Sequence, residues 1–146
     1  MRSPMSEQPE PVFFIDRDLG RRFPQLLKDA GLRVERHDEH FDPTTPDEDW
    51  LPEIRRRGWV AVTRDARIRY SPLALGAMMN EGTQLLVIVG KLTNDEAATV
   101  FLSRQRQIRE LLAKHQVALI AKVRRDGVYE WLDHATWKRE QERRKK

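Results

Sequence analysis

The sequence predicts an α/β fold, a three-layer α/β/α sandwich around a mainly parallel central sheet, followed by a C-terminal β-hairpin. Two observations predict it. Short, nearly continuous apolar runs alternate with amphipathic stretches in the order βαβαβαβ, the pattern of parallel strands covered by helices on both faces. After the alternation ends, two apolar runs flank Asp126-Gly127, a hairpin turn pair. The 146 residues favour one domain and suffice to bury roughly 70% of the unfolded chain's surface.

The elements follow in order. Met1 to Glu10 is polar, includes Pro4 and Pro9 and has no periodicity, which predicts a disordered leader over residues 1–10 and a domain over 11–135. Val12 to Ile15 has the length and content of a buried strand ending in Asp16. Phe23, Leu26, Leu27 and Ala30 share one helical face, and Gly31 stands where a C-terminal cap belongs. Leu32 to Arg36 alternates as a second strand. In "FDPTTPDEDW", Thr45 is expected to cap a helix, with Pro46 in its first turn and Glu48 completing a capping box. Trp50, Leu51 and Ile54 face inward until Gly58.

Trp59 to Thr63 reads as a third strand, Ser71-Pro72 opens a helix through Met79, and Gln84 to Val89 is a fourth strand. Thr93 and Glu96 form a second capping box, and Ala97, Phe101, Ile108, Leu111 and Leu112 recur at helical spacing, predicting one long helix from Asn94 to His115. The basic end, residues 136–146, is expected to be a frayed helix or tail.

Composition excludes several classes. Without cysteine there are no disulfides, thiolate zinc sites, iron–sulfur clusters or cysteine nucleophiles, so any metal is held by oxygen or by the four histidines. No apolar run is longer than that of Leu85 to Val89, which is far short of the roughly 20 residues that span a bilayer, and no signal-peptide pattern is visible, so a cytoplasmic location without membrane partners is expected. A formal charge of +4 permits a polyanionic partner without requiring one.

In an open parallel sheet, ligands bind at the carboxyl ends of the strands. Asp16 closes the first strand and Asp65 follows the third, so if those strands are neighbours the two carboxylates meet at one edge, with Asp47 leaning over it from the next helix. Clustered carboxylates raise one another's pKa, and a hard divalent ion resolves that conflict. Magnesium, with manganese as substitute, suits an all-oxygen site and serves attack of activated water on a phosphodiester. Simpler roles compete: Asp16 or Asp65 as a cap or turn residue, Asp47 as a partner of the helix dipole, and His37 and His40 as solvated loop histidines.

"FFIDRDLG", "AGLRVERHDEHF", "PDEDWL" and "RRGWVAVTRDARIRY", in that order and spacing, resemble the PIN-like domains related to VapC toxins of bacterial toxin–antitoxin pairs. The likeness covers Val12 to about Gly90. It implies an α/β/α sandwich whose acids bind magnesium or manganese and cleave RNA, with Asp16, Asp47 and Asp65 at the family's acidic positions. Where many members have a fourth acid shortly after the one matching Asp65, this chain has Ala66 to Arg69, so Asp18 and Glu48 are the further candidate ligands. Arg17, Arg64, Arg67 and Arg69 are the candidate RNA contacts. The likeness also implies a cognate antitoxin and a homodimer, for which the long helix is the candidate face.

Two other readings stay open. Asp16-Arg17-Asp18 after an apolar strand also fits a haloacid dehalogenase-like phosphatase using Asp16 as nucleophile, with Thr63 and Lys91 in supporting positions. Alternatively, a PIN-like fold with an incomplete acidic set binds RNA or protein without hydrolysis.

Overall fold

The computed structural model describes residues 10–145. In it β1 (Val12–Ile15), α1 (Arg22–Asp29), β2 (Arg33–Arg36), α2 (His37–His40), α3 (Asp47–Arg56), β3 (Val60–Thr63) and α4 (Pro72–Glu81) come first. β4 (Gln84–Ile88), α5 (Asn94–Ser103), α6 (Gln105–Lys114), β5 (Leu119–Arg124), β6 (Gly127–Asp133) and α7 (His134–Arg144) complete the chain. Short 3-10 segments occupy Arg17–Leu19 and Ala66–Tyr70. The expected leader lies outside the described residues except for Glu10, whose carboxylate pairs with Arg109.

The sheet order is β2-β1-β3-β4-β5-β6, parallel except for β6, which returns antiparallel to β5. Strand periodicity builds the layers, since successive side chains point to opposite faces. Phe13 and Ile15 join Phe23, Leu27, Phe101 and Ile108 on one face, beneath α1, α5 and α6. Phe14, between them, faces the other way into a core with Trp50, Ile54 and Met78 from α3 and α4. The predicted mainly parallel sandwich with its C-terminal hairpin is therefore the observed architecture. Among the described residues no helix is long and apolar enough to cross a membrane.

Several local expectations are corrected. The capping box at Thr45 and Glu48 does not form: Pro46 holds the cap position of α3, and no side chain caps it. Asp42 takes Thr44 instead, accepting from its amide (2.9 Å) and its hydroxyl (2.6 Å), and the resulting turn draws the Thr45 amide to the Asp42 carbonyl. Asp47, Glu48 and Asp49 are left to complement the positive end of α3. "HDEH" is a helical turn rather than a loop, and the Glu39 carboxylate accepts from the Arg36 amide at 3.1 Å.

The single long helix is broken at Arg104 (φ −101°, ψ 10°), whose guanidinium reaches the Arg125 carbonyl in the hairpin turn. The break lets α5 pack on α1 and β5 while α6 leans onto β6, two directions that one straight axis does not serve. At the C-terminus the helix option holds. Asp133 caps α7 by accepting from the Thr136 amide (2.7 Å), and Trp137 packs against the second core.

Candidate active site

The site begins with a strand pairing. β1 lies beside β3 in parallel, with Ile15 opposite Val62, and the Asp16 amide donates to the Val62 carbonyl at 2.9 Å. Asp16 and the Thr63-Arg64-Asp65 segment therefore leave the sheet at the same carboxyl edge, the position that collects ligands in such folds. An open cleft of about 580 Å³ lies there, lined by Asp16, Asp18, Asp47 and Asp65 together with His37 and Arg67, among others.

Thr63 is the hub. It ends an otherwise apolar strand and is fully buried. Its hydroxyl lies 2.8 Å from Asp16 Oδ2 and 3.1 Å from Asp18 Oδ2, and it accepts from the Asp65 amide at 3.0 Å. A hydroxyl has one hydrogen and so serves one carboxylate at a time. The other contact needs a proton on the acid or a cation beside it. Asp18 as a residue is exposed, but its carboxyl turns inward onto Thr63 and the Arg64 amide (3.0 Å). Burial of that carboxyl first, and the charge of Asp16 second, push its pKa up to about 6.

The other two acids, Asp47 from α3 and Asp65 after β3, line the same cleft. The Asp47 carboxylate accepts from the Trp50 indole at 2.9 Å, and burial holds its pKa above the ordinary range, with the charges of Asp16 and Asp65 adding to the shift. Asp65 caps the Ala66–Tyr70 segment and takes a two-point contact from Arg67 (2.9 and 3.1 Å), which holds its carboxyl below the ordinary range. Asp16 likewise accepts from the Arg17 amide at 2.7 Å as the cap of Arg17–Leu19. Capping and cleft-lining thus coexist, because each cap keeps its carboxylate at the strand end.

Of the other predicted residues, Arg17, Arg64 and Arg67 line the cleft, and Glu48 and Arg69 do not. Arg69 turns away to Glu140 of α7 (3.4 Å), and Arg64 spends its guanidinium on the Leu92 and Gly90 carbonyls and the Asn94 side chain. Arg17 and Arg67 remain exposed at the mouth. Lys91 is exposed and outside the cleft lining, which removes the supporting lysine of the phosphatase reading. His37 is not a solvated loop residue: it is 3% exposed beside Phe14, Phe41 and Trp50, its Nδ1 has no partner, and burial lowers its pKa. Its place on the cleft wall has no sequence signal beyond "HDEH". Thr63 has one, a hydroxyl ending a valine-rich strand.

Among the described residues, no three acidic or histidine side chains stand close enough together to enclose an ion, since Asp65 is folded onto Arg67 and Asp47 onto Trp50. The donor set nevertheless fits a hard cation. It is all oxygen, and the Asp16–Asp18 pair has more negative charge than its single shared hydrogen can satisfy. Asp16 and Asp18, which share the Thr63 hydroxyl, would be the first residues to hold such an ion, and Asp47 and Asp65 line the same cleft.

A curated relative, "Putative ribonuclease VapC45" of Mycobacterium tuberculosis (strain ATCC 25618 / H37Rv), is 32% identical over 80 residues, 51% of this chain and 58% of that protein. The chain therefore aligns with little more than half the length of this relative. No solved structure matches it. The family model described as a PIN like domain matches residues 11–90, which contain β1 to β4 and every acid of the cleft. With more than half of its residues so matched, and its acids gathered at the carboxyl edge of the sheet, this chain belongs to the PIN-like domain family.

Proposed function

We propose that the chain is a metal-dependent endoribonuclease, the toxin of a toxin–antitoxin pair acting in the cytoplasm, and that Asp16, Asp18, Asp47 and Asp65 hold a magnesium or manganese ion. The observation that carries the reading is the meeting of four carboxylates in one open cleft, two of them competing for one buried hydroxyl hydrogen. Family membership and the ribonuclease name of the relative from M. tuberculosis support it. Once bound, the ion supplies the Lewis-acid charge that activates water and stabilises a phosphodiester under attack.

The chain's own residues prepare that chemistry. Thr63 aims Asp16 and Asp18 at one point, and the Trp50 indole fixes Asp47 at the wall. Arg67, whose side chain is 91% exposed, is placed to turn from Asp65 to a substrate phosphate. An antitoxin fits the same chemistry by inserting an arginine among the carboxylates.

Calorimetric titration with magnesium and manganese, on wild type and on the Asp16→Asn, Asp65→Asn double variant, tests the metal site, and single-stranded RNA cleavage tests the activity. Wild type is expected to bind metal and cut RNA, and the variant to do neither. Metal binding without cleavage leaves a PIN-like binding module. Cleavage that persists in chelator refutes the proposed mechanism. Growth arrest on expression, relieved by a copurifying small protein, tests the toxin role.

A further inference from the structure

A second surface begins where the acidic cleft ends. Asp65 caps the 3-10 segment Ala66–Tyr70, which at about 2.0 Å per residue carries the chain some 10 Å from the cleft to Tyr70. Tyr70 is 72% exposed, yet its ring is held in place. The Trp131 ring lies nearly perpendicular to it at 6.0 Å, and the Arg69 guanidinium stands 5.5 Å from its centroid, itself held by Glu140. A register shift in the β5–β6 pairing at Ile120/Ala121 leaves Trp131 as the extra residue of β6, which is how a bulge re-aims a side chain.

Beside the ring is a depression of about 350 Å³ bounded by Arg69, Tyr70, Glu140, Arg143 and Arg144. Arg143 and Arg144 are exposed at the end of α7 and form no ion pair among the described residues. The one acid of the depression, Glu140, is already taken by Arg69. A braced, exposed aromatic face with uncompensated arginines is the combination that binds single-stranded nucleic acid, the ring stacking on a base while the cations follow phosphates.

We propose that Tyr70 is a stacking platform for a base of single-stranded RNA running from the acidic cleft, with Arg143 and Arg144 contacting the flanking phosphates. The assignment rests on the RNA reading above and gives α7 a role in substrate binding. Arg69 is a positioning residue: it braces the ring and anchors α7 through Glu140.

The test is fluorescence anisotropy of a labelled single-stranded oligoribonucleotide with the full chain, in chelator to prevent cleavage. Tyr70→Ala is expected to weaken binding about 5- to 150-fold, which is ~1–3 kcal/mol at 1.4 kcal/mol per tenfold. Tyr70→Phe keeps the ring and is expected to stay within about 2-fold of wild type, since stacking needs only the π-face. The Arg143→Ala, Arg144→Ala variant is expected to flatten the slope of log K against log salt by about 1.4, at ~0.7 per phosphate contact on a single strand. Unchanged binding by Tyr70→Ala, or an equal loss in Tyr70→Phe, overturns the platform while leaving the RNA reading intact. Loss of a copurifying protein from Tyr70→Ala with RNA affinity unchanged overturns it in favour of a protein surface. No RNA binding by wild type overturns the platform, whereas the ribonuclease reading stands or falls with the cleavage assay in metal. Because Tyr70 is exposed, circular dichroism of each variant is expected to match wild type.

Discussion

Asp18→Asn separates the cost of the acidic site from its use. Asparagine keeps an oxygen to accept from Thr63 and the Arg64 amide, but it removes one of two charges facing a single hydroxyl. The Asp18 carboxyl titrates at about 6 in the fold against 3.8 ordinarily. An acid whose pKa is higher folded than unfolded contributes stability that is fully present below about 3.8 and lost as pH rises through about 6. The displacement corresponds to at most ~3 kcal/mol at 1.36 kcal/mol per pKa unit, and solvent screening of an exposed residue reduces it to about 1–2 kcal/mol. Asp18→Asn is therefore expected to be about 1–2 kcal/mol more stable than wild type near neutral pH, and to lose wild type's decline between about pH 4 and pH 6. Urea denaturation at several pH values measures both. A variant less stable than wild type at neutral pH refutes the argument, because it makes Asp18 a stabilising partner rather than a strained one.

Three further outcomes are expected. Thr63→Val keeps the buried shape but orphans the Asp65 amide and leaves Asp16 and Asp18 without a shared hydrogen; a loss of about 1–3 kcal/mol in urea is expected, and an unchanged midpoint counts against the hub. Magnesium affinity by calorimetry is expected to fall as pH drops through about 6, because a proton competes at Asp18, and that dependence is expected to flatten in Asp18→Asn; affinity equal at about pH 5 and pH 7.5 removes Asp18 from the site. Phe14→Ala empties a fully buried position packed by His37, Phe41, Trp50 and Trp59, and is expected to cost ~3–5 kcal/mol, read from the denaturation midpoint.

What the sequence determined by itself is the set of parallel strands and the acids at their ends. Strand and helix periods are local, and Val12–Ile15, Val60–Thr63 and Gln84–Ile88 are too apolar for any exposed element. Asp16 and Asp65 follow from the same logic: Asp16 is the first residue past β1, and Asp65 is the first acid past β3, two residues after Thr63. The pairing that brings them together was conditional in the sequence, because strand order depends on which faces α1 and α3 cover. Local signals failed where distant contacts compete with them. Thr45 matches a cap pattern, but Asp42 organises the turn first; one helical period runs from Ala97 to Leu112, but β6 and the hairpin turn draw its second half aside at Arg104. The burial of His37, the convergence of two carboxylates on Thr63, the commitment of Arg69 to α7 and the bracing of Tyr70 were decided only by tertiary structure. Each depends on a neighbour far along the chain, and no local period encodes where such a neighbour packs.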